Sequence, residues 1–309
     1  MLQKLRDSVN VEKYVNYIRE LEEYIRSLID FFQQCLKTSF DRIIIAYSGY
    51  GYLPASVMYW FIVTMDNGKI ILLNEVDVVT HYILSYTENS YTILFTTNPY
   101  SASTIRFLQT TSLLNNQYIV VSMKPFDNRV LNLLSRFRVF YIDRKDDLES
   151  CLTMSILTYY TMANVYRDKL GSRGSRIYSH VVEGLYPIVE ELINKYIDKI
   201  EKIVQTKTWV LTSTKILEPV SYFATEVLNR IGLSSSYKIL DHVMSGDNVL
   251  IISTSVEEHV VREYKYKYGL MRNNVEDIVL NTDPLEAQIY LAILFYYILY
   301  SFKRDRGEI

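Results

Sequence analysis

The sequence YTILFTTNPYSASTIRFLQ, from Tyr91 to Gln109, indicates how this chain folds. It opens with the apolar run Tyr91–Phe95, which is typical of a strand buried on both faces. A short polar loop, Thr96–Ser101, follows, and from Ala102 apolar residues recur at helical spacing. The stretch therefore predicts a strand, a hydroxyl-rich loop and the start of a helix.

The loop in this stretch has two interpretations. The first amides of a helix lack internal partners and lie at the positive end of the helix dipole, so a strand–loop–helix unit is suited to binding phosphate. The hydroxyl groups of the loop would add further donors. However, Ser, Thr and Asn are also the ordinary N-cap residues of helices, and a plain cap requires no ligand. The residues of the loop leave both interpretations open.

Strands and helices alternate in the same way along most of the chain. The predicted strands are Asp41–Tyr47, Lys69–Leu73, Tyr91–Phe95, Gln117–Ser122, Phe137–Ile142, Lys207–Ser213, Asp247–Ser253 and a short one at Val279. The longer predicted helices are Val11–Leu36, Ala55–Met65, Asp77–Tyr86, Leu148–Lys169, Ser179–Gln205, Pro219–Ile231, Glu257–Tyr268 and Pro284–Phe302. This alternation predicts an α/β fold with two doubly wound, flavodoxin-type parallel sheets and flanking helices.

The pattern also suggests a division of the chain into three segments. Residues 1–150 form the first α/β subdomain with an N-terminal helix, and residues 206–309 form a second, shorter copy that ends in a helix. Residues 151–205 are predicted to be a helical connection, with a joint at Gly171–Gly174. The order of elements is similar in the two copies, although their sequences do not repeat.

Composition limits the class of protein. The net charge is −2 and no basic block is present, which argues against nucleic acid as a partner. Two cysteines, Cys35 and Cys151, do not provide a disulfide framework and suggest a reducing compartment. The N-terminal sequence lacks the apolar region of a signal peptide. The run Leu291–Tyr300 is much shorter than the roughly 20 residues that span a bilayer. We therefore expect a cytoplasmic protein, with no membrane partner and a buried C-terminal helix.

Two loops resemble those of a known family. Ser48-Gly49-Tyr50-Gly51-Tyr52 is similar to the first loop, C/G-G-T-S-Y, of the SIS (sugar isomerase) family, and Thr96–Thr104 is similar to its S-Q-S-G-E-T-A-D-T loop. The resemblance is to the tandem form of the family, as in the isomerase half of glucosamine-6-phosphate synthase and archaeal phosphosugar isomerases, and covers nearly the full length. Pro99 replaces a glycine of the family and removes an amide donor. The resemblance implies sugar-phosphate binding at Ser48, Tyr50, Thr96, Thr97, Asn98 and Ser101.

The same resemblance suggests catalytic residues in the second half. Aldose–ketose isomerisation needs a base that moves a proton between adjacent carbons and an acid that opens the sugar ring. The glutamate position of the family falls on Asn229, with Glu226 one turn earlier, and its histidine position falls on Ser245, with His242 three residues upstream. Its lysine is absent from the corresponding stretch, Cys151–Ser155. A shift of about one turn would make Glu226 the base and His242 the acid.

Two hypotheses of different classes follow. One is a phosphosugar isomerase, which transfers protons with side chains and needs no organic cofactor. The other is a non-catalytic sugar-phosphate-binding or regulatory homodimer. A homodimer is expected in either case, because family members share sites between subunits and Leu291–Tyr300 is rich in apolar residues and tyrosine. No metal site is expected at Glu257–His259, because adjacent residues of a helix point apart.

Overall fold

The computed structural model describes residues 5–36, 39–66 and 68–303, and the chain divides into two compact units. The first unit is Glu23–Val181, and the second combines Met1–Glu22 with Val182–Ile309. This division differs from the predicted segments that end at residues 150 and 205, because a sequence pattern locates elements without showing which of them pack together. We treat each unit separately below.

The first unit is built on a five-stranded parallel sheet with the order β2-β1-β3-β4-β5. Its strands are β1 (Arg42–Ser48), β2 (Ile70–Glu75), β3 (Ser90–Thr96), β4 (Gln117–Met123) and β5 (Val139–Ile142). All seven residues of β3 are buried, as expected for a central strand covered by helices on both faces. The order is that of a flavodoxin-type sheet, as predicted.

Helices connect and cover these strands. In chain order they are α1 (Ser8–Cys35), α2 (Tyr52–Met65), α3 (Ala102–Leu113), α4 (Asn128–Leu134), α5 (Asp147–Val165) and α6 (Gly171–Glu183). Short helical turns run from Val76 to Tyr86 between β2 and β3. On one face of the sheet, Phe107 and Leu108 of α3 pack with Leu94 and Val120 in a buried apolar core.

The second unit is built on a four-stranded parallel sheet with the order β7-β6-β8-β9. Its strands are β6 (Thr208–Ser213), β7 (Ser234–Tyr237), β8 (Asn248–Thr254) and β9 (Asn274–Leu280). Its helices are α7 (Tyr186–Gln205), α8 (Glu218–Arg230), α9 (Glu258–Leu270) and α10 (Pro284–Lys303). The neighbour order repeats that of the first four strands of the other sheet. The predicted fold, with two doubly wound parallel sheets and a shorter second copy, is therefore confirmed.

Three details of the predicted secondary structure are wrong. The predicted joint is present at Gly171, whose φ is +46° at the start of α6, but a second break follows at Gly184, whose φ is +95°. The predicted helix Ser179–Gln205 is therefore two helices. Both β7 and α4 were missed, because Ser234–Tyr237 is a short polar edge strand and Asn128–Leu134 has only seven residues.

The C-terminal helix α10 is buried, as predicted. Residues Pro284–Phe302 are long and apolar enough to cross a membrane, but 89% of this window is buried inside the protein. Its aromatic residues pack with the N-terminal end of α1, where the Tyr14 hydroxyl donates a hydrogen bond to the Ile293 carbonyl (2.7 Å). This is the position of a core helix.

Candidate functional site

The candidate site lies at the carboxyl edge of the first sheet, where the chain changes winding direction. Strand β1 has β2 on one side and β3 on the other, so the connections that follow β1 and β3 leave from adjacent strand ends. Ser48 at the end of β1 is aligned with Thr96 at the end of β3. Ligands of open α/β sheets bind in the crevice at such a switch point. The two loops predicted to bind phosphate are the ones that meet there.

Two glycines allow the loop after β1 to pass close to β3. Gly49 has a φ of +57°, in the left-handed region that side chains disfavour. A Cβ atom at Gly51 would lie 2.1 Å from the Phe95 carbonyl oxygen, so only glycine fits there. The loop continues through a short 3-10 turn, Gly49–Gly51, directly into α2. These glycines place the Tyr50 amide beside the neighbouring loop.

One hydrogen bond joins the two loops, and a second lies within the Thr96–Ser101 loop. The Tyr50 amide donates to the Thr97 hydroxyl oxygen at 3.1 Å, and the Asn98 amide donates to the Thr96 hydroxyl oxygen at 3.0 Å. Both threonines are buried, whereas Asn98 is exposed at the tip of the loop and Ser48 is half-buried. The structure therefore brings together five of the six predicted binding residues: Ser48, Tyr50, Thr96, Thr97 and Asn98.

The sixth predicted binding residue, Ser101, caps α3. Its hydroxyl oxygen accepts a hydrogen bond from the Thr104 amide at 3.1 Å, and its own amide donates to the Asn98 carbonyl at 3.2 Å. The N-cap interpretation of this loop is thus confirmed for Ser101. The cap engages the Thr104 amide and leaves the two amides before it available. Among the described residues, the amides of Ala102 and Ser103 have no protein acceptor. A cap and an anion-binding helix start are compatible here.

Sequence reasoning missed two side chains that border these loops. The Cys151 thiol of α5 donates to the Tyr50 carbonyl at 3.1 Å, and its burial raises the pKa of this thiol far above its usual value. Asp77 accepts a hydrogen bond from the Ser103 hydroxyl at 2.9 Å, which places a carboxylate beside the first turn of α3. Neither contact has a local sequence signal, because Cys151 is 101 residues from Tyr50 and Asp77 is 26 from Ser103.

The two equivalent loops of the second sheet each contain a carboxylate. After β8, the Glu257 side chain accepts hydrogen bonds from the amide of Thr254 at 3.2 Å and from its hydroxyl at 3.1 Å, forming a capping box. After β6, the Glu218 carboxylate pairs with Lys215 at 2.5 Å. The Glu257 carboxylate disfavours an anionic ligand after β8, whereas the charge of Glu218 is offset by Lys215. The loop after β3 therefore leaves helix-start amides open, whereas the loop after β8 is capped by a carboxylate.

The structure does not bring the predicted catalytic residues together within one chain. Glu226 lies on α8, where its carboxylate pairs with Arg230 at 2.9 Å. His242 lies in the connection from β7 to β8, and the next residue, Val243, packs in the core that α9 covers. Right-handed crossovers place α8 and this connection on opposite faces of the sheet, because β7 and β8 flank β6. The assignment of these residues to catalysis stays a prediction.

The residues at the ungapped family positions have structural partners. The Asn229 side chain accepts hydrogen bonds from the amide and hydroxyl of Ser235, at 2.8 and 2.9 Å, and so fixes the start of β7. The Ser245 hydroxyl donates to the Met271 carbonyl at 2.6 Å. Among the described residues, no group of three or more His, Cys, Asp and Glu side chains is arranged to hold a metal ion.

The two sheets, with their shared strand order, define the class of fold found in phosphosugar isomerases. No protein-family model matches the sequence, and no curated protein matches it. Solved structures match over nearly the whole chain. A protein from Silicibacter pomeroyi DSS-3 assigned as a phosphosugar isomerase aligns with a TM-score of 0.67 and 11% identity, over 98% of each chain.

Two further solved structures carry more specific descriptions. The C-terminal domain of glucosamine-fructose-6-phosphate aminotransferase from Francisella tularensis aligns with a TM-score of 0.66 and 10% identity, over 95% of this chain and 96% of that one. Glucosamine-6-phosphate deaminase from Thermotoga maritima aligns with a TM-score of 0.60 and 11% identity, over 96% and 95%. At these identities the similarity shows the fold. The resemblance to sugar isomerases is confirmed at that level.

Proposed function

We propose that this protein binds a sugar phosphate at the switch point of its first sheet. The observation that carries the proposal is the junction of the two loops, in which the Tyr50 amide meets the Thr97 hydroxyl beside the open amides of α3. Amides at a helix start and nearby hydroxyls are the donors that phosphate groups use. The phosphosugar enzymes named among the fold neighbours support a sugar phosphate as the ligand class.

The reaction that we propose for a catalytic form is aldose–ketose isomerisation. Glu226 would then transfer the proton between adjacent carbons and His242 would open the ring, as the family resemblance implies. Proton transfer between carbons needs only positioned side chains, so we expect no organic cofactor. Since Glu226 and His242 lie on opposite faces of one sheet, a working pair would require residues from two subunits.

A second candidate function is sugar-phosphate binding without catalysis. The observation that favours it is the ion pair between Glu226 and Arg230, because a carboxylate oxygen engaged with a guanidinium would have to leave it to reach a substrate proton. A sensor or regulatory homodimer would keep the loops of the first sheet and need no acid–base pair. Both candidates share the binding site and differ only in the chemistry that follows.

The binding proposal is tested by replacing Thr97 and Ser101 together with alanine. We expect the rise in melting temperature caused by glucosamine-6-phosphate or fructose-6-phosphate to disappear in the double variant. Loss of the Ser101 cap should by itself cost about 1 kcal/mol of stability, so the ligand-induced shift and not the melting temperature is compared. Thr110→Ala with Ser112→Ala, at the far end of α3, is the matched control. An unchanged ligand-induced shift in the Thr97/Ser101 variant would place the ligand elsewhere.

We also propose a cytoplasmic homodimer that has neither nucleic acid nor membrane as a partner. The low net charge and the family habit of sharing sites between subunits support this assembly. A stable interface should bury more than about 1,000 Å². Light scattering at micromolar concentration should therefore give twice the chain mass of 36.3 kDa. A mass of one chain under these conditions would contradict the dimer.

A further inference from the structure

A separate cavity of about 370 Å³ opens at the amino edge of the first sheet. It lies between the last turns of α1 and the first residues of β3, β4 and β5, and its volume is at the lower end of the ~300–1,000 Å³ range of small-molecule sites. The lining residues are Phe31, Gln34, Cys35, Tyr91, Tyr118, Ile119, Phe137, Arg138, Val139 and Phe140. The candidate phosphate loops are at the other end of these strands, about 16 Å away along β3 at ~3.3 Å per residue.

Five of the ten described lining residues are aromatic, and ring contacts hold several of them in place. Phe31 stacks on Phe140 with ring centroids 5.6 Å apart and planes at 23°. Tyr91 stacks on Phe40 at 5.7 Å, and its hydroxyl donates to the Cys35 carbonyl at 2.6 Å. A wall fixed in this way is ready to receive a flat apolar group, because little side-chain freedom remains to be lost on binding.

Arg138 supplies the positive charge of the cavity. Its carbonyl accepts a hydrogen bond from the Val120 amide at 3.0 Å, which anchors its backbone next to the sheet. Among the described residues, no carboxylate lies within ion-pair distance of its guanidinium. A planar guanidinium binds a carboxylate through two parallel hydrogen bonds.

Among the lining residues that the structure describes, no other is charged at neutral pH. Burial raises the pKa of the Cys35 thiol, which therefore stays protonated and contributes an apolar surface. Burial also raises the pKa of the Tyr91 hydroxyl well above its usual value, so this phenol stays neutral. The cavity thus offers one positive charge at its rim and aromatic surfaces inside. The single positive charge of Arg138 balances the charge of a monoanion but only half the charge of a doubly charged phosphate.

We propose that this cavity binds a small aromatic monocarboxylate, with its ring among Phe31, Tyr91 and Phe140 and its carboxylate on Arg138. The proposal does not depend on the sugar-phosphate site, since the two sites share no residue and lie at opposite edges of the sheet. A ligand at the amino edge would leave the switch point accessible, so both sites can be occupied together.

The first test measures the binding of 2-naphthoate and of its neutral analogue 2-naphthamide by isothermal titration calorimetry. We expect the carboxylate to bind more tightly, and Arg138→Leu to weaken its binding by about tenfold or more while leaving the amide unchanged, because a charge-assisted hydrogen bond is lost. Arg136→Leu is the matched control, an exposed arginine two residues away that does not line the cavity. Equal affinities for the two probes, or no effect of Arg138→Leu, would overturn the charge assignment.

The second test blocks the opening of the cavity with a large side chain. Gln34 is an exposed lining residue of α1, so Gln34→Trp should block entry without disturbing the core. We expect this variant to lose binding of both probes, and Gln33→Trp, on the adjacent exposed position outside the cavity, to keep it. Binding that survives Gln34→Trp, or no binding of 2-naphthoate by the unmodified protein at millimolar concentration, would overturn the proposal. Thermal shifts with sugar phosphates, measured on the same variants, should not change.

Discussion

Thr97 connects the two loops of the candidate site through one hydroxyl group. Its oxygen accepts from the Tyr50 amide, so its proton remains available as a donor to a ligand. This arrangement depends on Gly51, because any larger residue would collide with the Phe95 carbonyl and push the loop away. The proposed anion site therefore consists of a hydroxyl, a close backbone approach and a helix start, without any positively charged side chain among these residues.

Asp77 limits how strongly this site can attract an anion. Its carboxylate accepts from Ser103 in the first turn of α3, where the positive end of the helix would otherwise face a ligand. Asp77→Asn should therefore tighten the binding of sugar phosphates by about three- to tenfold at low salt, since a nearby negative charge is removed while the amide can still hydrogen-bond Ser103. Titration calorimetry at low and at high salt measures the effect and its screening.

A matched control for this substitution is Glu88→Gln. Glu88 is an exposed carboxylate in the turn before β3, at the opposite edge of the same sheet. The Glu88→Gln substitution removes the same charge at a point far from the loops. It should therefore leave the affinity for sugar phosphates nearly unchanged. Equal tightening in both variants would mean that only the net charge matters. Weaker binding in Asp77→Asn alone would show that the carboxylate supports the loop.

At the scale of secondary-structure elements, apolar runs in the sequence were the reliable signal for buried strands. Strands such as Ser90–Thr96 were predicted because both of their faces are covered, which makes every residue apolar or small. The edge strand Ser234–Tyr237 was missed because its four polar residues carry no such run. The break at Gly184 was missed for another reason: the amides of Leu185 and Tyr186 donate to the Glu22 carboxylate, a cap from a distant helix that no local pattern can show.

Asp277 of β9 forms ion pairs with two helices of the second unit. Its carboxylate accepts from Lys265 of α9 at 2.7 Å and from Lys199 of α7 at 3.1 Å. Burial alone would raise the pKa of Asp277, but the hydrogen bonds from Lys265 and Lys199 outweigh it and hold the pKa below its ordinary value of 3.8. We expect Asp277→Asn to lower the free energy of unfolding by about 1–2 kcal/mol at pH 7.

The pH dependence of this loss has a definite sign. A carboxylate whose pKa is lowered by folding stabilises the folded state above its unfolded pKa, and this contribution disappears as the pH falls through the folded value. The difference between the two proteins should thus shrink below about pH 3.8, as measured by urea unfolding at several pH values. Glu276→Gln is the control, because its single, exposed pair with Lys202 should contribute less than about 1 kcal/mol. A difference that stays constant with pH would contradict the ion-pair explanation.

At the scale of the whole molecule, this chain and the solved structures share the order of elements and of strands although their sequences are almost unrelated. The neighbour order of β6–β9 repeats that of β1–β4, and solved structures at 10–11% identity share the fold. The adjacency of the two candidate loops was predictable because the carboxyl ends of neighbouring strands in a parallel sheet lie side by side. Whether Glu226 and His242 form an acid–base pair was not predictable, since their positions depend on one helical turn of alignment and on which face of the sheet each connection crosses.

Isomerase activity is tested by solvent-deuterium exchange into fructose-6-phosphate and glucosamine-6-phosphate, followed by NMR. If the protein is catalytic, Glu226→Gln and His242→Gln should each lower the exchange rate by roughly 10²- to 10⁴-fold, the usual effect of losing a positioned acid or base. Because the two residues lie on opposite faces of one sheet, each active site would combine Glu226 of one subunit with His242 of the other. Mixing the two inactive variants after dissociation should then restore about a quarter of the activity, through hybrid dimers with one intact site.

Each result of this experiment assigns a different role to the chain. Glu190→Gln, an exposed glutamate of α7, is the control and should exchange at the normal rate. Restored activity in the mixture would require both the homodimer and the Glu226–His242 pair. Loss of activity in the single variants without restoration would keep both residues as necessary for activity but contradict a site shared between two subunits. Exchange at the background rate for a panel of phosphosugars, together with a thermal shift that depends on Thr97 and Ser101, would leave binding as the function.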